Sequence, residues 1–336
     1  MSSRWKLIGR LLPLLALLGL MAGCGDPYLT TLNPKGPVAK EQLDLIKLSF
    51  GIMILVLVVV FFIYIYVLIK FRRRKGQENV IPKQVEGNHL LEIIWTVIPI
   101  ILLLILAVPT VFYTFKHVTD YSDDKDAIHI NVTGHQFWWE FEYADQKFKT
   151  AQDLVVPVGK IVSVKLASAD VNHSFWIPTL AGKQDTNPGD KNVNTLYFKA
   201  DEPGTYKGKC AELCGASHTL MDFKVKAVSE AEYAAWLTKM TTPYAAVSAD
   251  VAAGEQVFKQ NCIACHAVTP DGVGSGPNLK GFASRELVAG ILEHNDAKLK
   301  EWINDPQSVK PGTLMPARGL NEQQLNDVVK YLNTLK

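Results

Sequence analysis

Cys210-Ala211-Glu212-Leu213-Cys214-Gly215-Ala216-Ser217-His218-Thr219-Leu220-Met221 sets two thiols four residues apart, then an imidazole, then a thioether. These are soft and borderline donors. Together they favour copper in an electron-transfer role over magnesium or calcium. One thiolate with two imidazoles would make a mononuclear site. Two thiolates can instead bridge two metals, each needing a terminal imidazole, so a second histidine must come from elsewhere. His173, in Asp170-Val171-Asn172-His173-Ser174-Phe175 ahead of Trp176-Ile177-Pro178, is the best candidate. Two alternatives stand beside this reading: a structural zinc site, which usually uses paired Cys-x-x-Cys knuckles, and a Cys210–Cys214 disulfide in an oxidising compartment.

Around this segment the pattern is of short β-type runs over 117–228: Ala127–Val132, Gln136–Tyr143, Ile161–Ala167, Thr195–Lys199 and Met221–Ala227. Turn signals such as Asn187-Pro188-Gly189-Asp190 and Asp201-Glu202-Pro203-Gly204 separate them. Many short strands with such punctuation predict a β-sandwich or small barrel.

Towards the N-terminus, Leu48–Ile69 and Ile93–Phe115 carry no charge over 22 and 23 residues. Each exceeds the ~20 residues that cross a bilayer as a helix, which predicts a two-helix transmembrane hairpin over 43–116. The loop between them, Lys70-Phe71-Arg72-Arg73-Arg74-Lys75 and then Lys83, is basic, so it belongs in the cytoplasm and everything after the hairpin outside it. Arg4, Lys6 and Arg10 before an apolar run, then Met21-Ala22-Gly23-Cys24, have the layout of a secretory signal over 1–23. Ending on cysteine, it resembles a bacterial lipoprotein signal, which implies a lipid anchor on Cys24.

Towards the C-terminus, Ser229-x-x-Glu232 is a capping-box signature. It predicts a helix to about Met240 and a linker to residue 246. The domain over 247–336 contains Cys262-Ile263-Ala264-Cys265-His266, the c-type haem attachment motif. Two thiols on one turn bond the haem vinyl groups and the adjacent imidazole binds iron. Met315, in Gly312-Thr313-Leu314-Met315-Pro316, is the expected sixth ligand, since His/Met ligation raises the potential for electron transfer. With Gly276-Pro277-Asn278-Leu279 and an amphipathic helix from Asn321, this part resembles an all-α class I cytochrome c. His294, off the motif, is expected at the surface.

The copper-type segment resembles the binuclear CuA centre of cytochrome c oxidase subunit II, whose cupredoxin-like domain follows a membrane hairpin. Glu92-Ile93-Ile94-Trp95-Thr96-Val97-Ile98-Pro99, Gly134-His135-Gln136 and Pro203-Gly204-Thr205-Tyr206 belong to the same pattern. The resemblance implies that Cys210 and Cys214 bridge the metals, that His173 and His218 are terminal ligands, and that Met221 binds one copper and the Glu212 carbonyl the other. It further implies that the Glu212 side chain helps hold a Mg ion shared with subunit I, and that Glu92 sits at the mouth of a proton path. Relatives often begin the aromatic triplet with Trp, where electrons arrive from cytochrome c. Here it reads Phe137-Trp138-Trp139, leaving Trp138 and Trp139 as alternatives to Phe137, against plain packing on the sheet. Lys209 stands where relatives often have Gln.

With the fused haem domain, the resemblance implies a terminal oxidase of the aa-type in which a donor, cytochrome c or a reductase, feeds haem c, then CuA, then haem a of subunit I. Oxygen reduction and proton pumping occur in that partner, so no catalytic residue is expected here. A CuA-containing nitric oxide reductase is the alternative. Nitrous oxide reductase lacks the hairpin and fused haem, and a quinol oxidase lacks the copper ligands. The chain has 336 residues and a formal net charge of +2, with basic residues spread along its length, so no nucleic-acid partner is implied. Its five cysteines are an odd number, which rules out a fully paired disulfide framework.

Overall fold

The structure is a computed structural model that describes residues 25–72, 76, 81, 86–189, 191–244 and 248–336. The expected signal, Cys24, and the basic residues Arg73, Arg74, Lys75 and Lys83 lie outside the described residues.

Helix α1 (Pro37–Lys70) starts on a proline, whose fixed φ and missing N–H suit a first turn. Helix α2 (His89–His117) is capped by Asn88, whose side chain accepts from the Leu90 and Leu91 amides at 3.0 and 3.2 Å. Both helices are long and apolar enough to cross a membrane, and their apolar side chains face outward. α1 begins well before its apolar run because its first turns have another task. Val38, Ala39 and Leu43 are buried there, and the Lys35 amide donates to the Thr179 carbonyl at 2.7 Å. At the same end Glu41 accepts from Lys116 Nζ at 2.6 Å and pairs with His117 Nε2 at 2.9 Å, fastening α2 to α1.

The middle of the chain is a sandwich of two five-stranded sheets. The first sheet contains β1 (Ile128–His135), β2 (Trp138–Tyr143), β3 (Phe148–Ala151), β5 (Val162–Ser168) and β8 (Asn194–Phe198), in the order β3-β2-β1-β5-β8. The second contains β4 (Asp153–Pro157), β6 (His173–Trp176), β7 (Lys183–Thr186), β9 (Gly204–Cys210) and β10 (Asp222–Val228), in the order β4-β10-β9-β6-β7. β1 and β2 show strict inside–outside alternation, the period-2 pattern of half-buried strands. Trp139, Phe141, Phe175 and Phe223 meet between the sheets, with Phe175 and Phe223 stacked at 4.5 Å. The five expected runs lie on β1, β2, β5, β8 and β10. β3, β4, β6, β7 and β9 were not expected, being short or built from polar residues such as Lys183–Thr186.

Helix α3 (Glu230–Thr241) opens with the anticipated capping box between Ser229 and Glu232. Thr242 and Tyr244, just after the helix, are bonded to the last domain. Lys280 Nζ donates to the Thr242 carbonyl at 2.7 Å and lies 3.5 Å from the Tyr244 ring centroid, and the Tyr244 hydroxyl accepts from the Gly281 amide. The last domain is built on α4 (Ala252–Asn261), α5 (Asp296–Asn304), α6 (Pro306–Val309) and α7 (Glu322–Leu332). A two-stranded pair, Leu287–Val288 with Leu292–Glu293, interrupts the expected all-α pattern. α4 and α7 pack closely through Phe258 and Tyr331. A Cβ on Gly254 would meet the Asp327 carbonyl at 2.0 Å, so only glycine permits this approach. His294, expected at the surface, is half-buried and bonded at both ring nitrogens. Its Nδ1 lies 2.6 Å from the Arg285 carbonyl, its Nε2 3.3 Å from Asn333 Oδ1, and its ring packs on Phe282. It braces the strand pair against the C-terminus.

Candidate functional site

The quoted segment begins at the end of β9, where the chain leaves the sheet, loops, and returns through a short 3-10 turn (His218–Leu220) into β10. That excursion gathers the donors. Cys210 Sγ lies 3.8 Å from Cys214 Sγ, 3.9 Å from His173 Nδ1 and 3.2 Å from the Glu212 carbonyl oxygen. Cys214 Sγ lies 3.6 Å from His218 Nδ1 and 3.8 Å from Met221 Sδ. All six sequence-predicted groups therefore surround one small volume. The sulfurs are both free thiols, so the disulfide alternative is not realised. His173, Cys210 and Cys214 are buried with mutually close ligand atoms. Burial and the neighbouring Cys210 push the Cys214 thiol up to about 12, because a lone thiolate is costly in that pocket. A bound cation would remove that cost. Soft, convergent and inward-facing, the donor set fits copper.

His173 comes from β6, which pairs with β9 through Phe175 and Cys210. Its Nε2 lies 2.8 Å from Asp170 Oδ1. A carboxylate only accepts, so Nε2 carries the proton and Nδ1 turns its lone pair towards Cys210. Asp170 is held in turn by the Gln136 and Val171 amides at 2.7 and 2.6 Å. Gln136 Nε2 also donates to the Cys214 carbonyl at 2.6 Å. Gly134 lies under the imidazole, where a Cβ would come within 2.7 Å of His173 Cδ2. Lys209 donates to Asp222 Oδ1 at 2.7 Å, an ion pair across β9 and β10.

The second donor group lines a cavity in the last domain. Cys262, Cys265, His266 and Met315 share it with apolar side chains that include Phe258, Leu279 and Trp302. His266 Nδ1 lies 2.9 Å from the Pro277 carbonyl, so this nitrogen holds the proton and Nε2 is left to bind metal. Burial pushes the His266 pKa down, keeping the imidazole neutral as a ligand must be. Gly276 packs on that ring, and a Cβ there would lie 2.8 Å from His266 Cε1. Two thiols, a neutral imidazole and a thioether around an apolar space fit a c-type haem. Arg285, 9% exposed, donates to the Asn278 carbonyl at 2.7 Å at the cavity wall.

The two sites are neighbours. His135, Gln136, Phe137, Trp138 and Gln152 of the sandwich line the same cavity as the haem-type ligands. Phe137 is 2% exposed and Trp139 0%, so neither ring meets solvent. Trp139 is a core residue, edge-on to His173 at 5.9 Å. Half-buried Trp138 stacks on His135 at 4.1 Å and faces the cavity. Lys310, 2% exposed, donates to the Phe137 carbonyl at 2.8 Å, and Ser217 Oγ donates to the Pro311 carbonyl at 2.7 Å. Gln136 and Lys310 carry no sequence signal of these roles, because each acts through a hydrogen bond to a residue far away along the chain. For Asp170 the signal was its place three residues before His173.

Three family models match the chain. One described as the transmembrane domain of cytochrome C oxidase subunit II covers residues 33–112, one described as its periplasmic domain covers 146–228, and one described as cytochrome c covers 251–336. Cytochrome c oxidase subunit 2 of Bacillus sp. (strain PS3) is 53% identical over 99% of this chain and 98% of its own length. The protein of the same name from Bacillus subtilis (strain 168) is 45% identical over 100% and 99%. Quinol oxidase subunit 2 of Bacillus spizizenii is 37% identical over 68% of this chain and 71% of its own length.

Proposed function

The chain belongs to the cytochrome c oxidase subunit II family, and from that premise we propose that it relays electrons from an external donor to haem c, then to binuclear CuA, and on to haem a of subunit I. The family implies both copper and haem, and what those groups supply when bound is one-electron transfer at tuned potentials. The chain's own part is to hold them, orient their ligands and keep them close. In this reading Cys210, Cys214, His173, His218, Met221 and the Glu212 carbonyl would hold the copper. Cys262 and Cys265 would attach the haem, and His266 and Met315 would hold its iron.

The observation that carries the reading is the cavity shared by the two domains. Its haem-type ligands face residues 135–138 of the copper-type sandwich. A covalently fused carrier needs no diffusional encounter, since its tether supplies the effective concentration. Electrons then arrive at the haem domain, and Phe137, Trp138 and Trp139 become internal contacts between the centres rather than a landing site for cytochrome c.

Further parts of the reading rest on the family resemblance. The Glu212 side chain would hold Mg together with subunit I, and Glu92, in the first turn of α2 beside His89, would stand near a proton path. The donor would be cytochrome c or a reductase, and other oxidase subunits would complete the complex. Cys24 would be a lipidated N-terminus after removal of 1–23. The hairpin (43–116), CuA domain (117–228), helix and linker (229–246) and haem domain (247–336) would sit in a bacterial cell membrane with both redox domains outside.

The test is a spectrum of the purified complex with an oxygen-uptake assay. The expected result is haem c and CuA absorptions together, haem a bands from the partner, and oxygen consumption. A complex with only b-type haems and no oxygen uptake would favour the nitric oxide reductase alternative and overturn the oxidase reading.

A further inference from the structure

The turn Lys310-Pro311-Gly312 belongs to the haem domain, yet each of its residues touches the copper-type sandwich, at Phe137 or at the copper-ligand loop. Lys310 Nζ donates to the Phe137 carbonyl at 2.8 Å and to the Ala289 carbonyl at 2.9 Å, one acceptor in each domain. The Pro311 carbonyl accepts from Ser217 Oγ, the residue before the expected copper ligand His218. Gly312 lies flat on Phe137, where a Cβ would stand 3.3 Å from Cε2 and 3.6 Å from Ala216 Cβ. Phe137 in turn packs on Gly215, next to Cys214.

The turn is stiff in its own right. The Lys310 amide donates to the Pro306 carbonyl, the Gly312 amide to Gln307 Oε1, and Gln307 Nε2 to the Thr313 carbonyl, at 2.8, 2.9 and 2.6 Å. Gly312 adopts φ +81°, a conformation that glycine tolerates best. Five residues past Lys310 is Met315, the expected haem ligand. One rigid turn thus joins a haem-ligand loop to the copper-ligand loop.

Among the described residues no carboxylate pairs with Lys310, although its side chain is almost wholly buried. Burying a cation without a counter-charge is expensive, and an apolar side chain would dock two surfaces at lower cost. What the ammonium adds is directionality: it is satisfied only where both carbonyls converge, which selects a single docking register. We propose that Lys310 is a positioning residue for electron transfer between the two centres, bonding a carbonyl in each domain so that the Met315 loop and the copper-ligand loop keep one fixed placement. This rests on the relay reading above.

The experiment uses the fully loaded oxidase with Lys310→Met, Lys310→Gln and Lys310→Arg. Pulsed dipolar EPR reads the distance distribution between oxidised haem c and CuA, and a laser flash reads transfer between them. The wild type is expected to give one narrow distance. K310M and K310Q, each with haem and copper spectra intact, are expected to broaden it and slow transfer ~10-fold or more, because small misplacements of reacting partners are heavily penalised. K310R, which keeps the charge and donors, is expected to restore both. A wild-type distance distribution and rate in K310M or K310Q would overturn the assignment of Lys310 alone. Absence of any haem-to-copper transfer in the wild type would overturn the relay reading and this proposal with it.

Discussion

Asp170 does for His173 what the Pro277 carbonyl does for His266. Each accepts the N–H of one ring nitrogen and so leaves the lone pair of the other free for a metal. Asp170→Asn keeps the shape but replaces the carboxylate with an amide whose orientation is not fixed by its partner. Losing such a ligand-orienting partner typically lowers metal affinity ~10–100-fold, and competition with a copper chelator is the measurement that checks it. At the other centre, Met315→Ala should leave the haem covalently attached through Cys262 and Cys265 yet lower its reduction potential, since a thioether axial ligand raises it. A redox titration giving the wild-type potential would remove Met315 from the ligand set. The donors that converge in 210–221, and the Cys262–His266 motif, were legible in the sequence because their spacing is local and their chemistry restrictive. Gln136 and Lys310 were not, since nothing in a linear sequence says which distant carbonyl a polar side chain will reach. The aromatic triplet marks the limit of the approach: sequence put Phe137 in doubt, left Trp138 and Trp139 as alternatives and weighed plain packing on the sheet beside them, while the alternation of β2 sends Trp139 inward and the docked haem domain covers Phe137.

Among the elements, the contact between β10 and the strand pair of the haem domain carries charge. Glu286 pairs with Lys224 and lies 3.4 Å from Lys226, which also pairs with Asp153 at 2.8 Å. The Lys224 ammonium and then Lys226 hold the Glu286 carboxyl below its ordinary value of 4.5. A depressed carboxyl pKa contributes stability that is complete above the free value and is lost as pH falls through the lowered one. Domain docking should therefore be insensitive to pH near neutrality and weaken below about 4.5. Hydrogen exchange across 222–228 and 286–293 reads this directly, and Glu286→Gln should flatten the acid dependence. Capping is the other local device. Ser229→Ala removes the half of the box at α3 in which the Ser229 hydroxyl accepts from the Glu232 amide, leaving the Ser229 amide to donate to the Glu232 carboxylate, and should lower the opening free energy of that helix by about 1 kcal/mol, measured by exchange of its amides. Helices α1, α2, α3 and α7 were readable because apolar runs and caps are written in consecutive residues. β6, β7 and β9 were not, since their strand character comes from pairing across the sheet.

On the scale of the whole chain, three parts are held together more tightly than their sequence suggests. The N-terminal turns of α1 are buried against the sandwich. Thr242 and Tyr244, expected as linker, are bonded to the haem domain. The division into a hairpin, a β domain and a haem domain follows from composition and motifs alone. Their mutual placement does not, because it depends on a handful of long-range contacts such as Lys310–Phe137 and Ser217–Pro311. That placement makes the haem cavity partly a product of the copper-type domain and leaves the aromatic triplet facing inward. The measurement that tests this most directly is donor-driven copper reduction in the complete oxidase with Cys262→Ala and Cys265→Ala, which removes haem attachment and leaves Cys210, Cys214, His173 and His218 untouched. The account predicts that CuA keeps its absorption while its reduction by cytochrome c, and oxygen uptake with it, falls to a small fraction of the wild-type rate; copper reduced at the wild-type rate in the haem-free protein would contradict it.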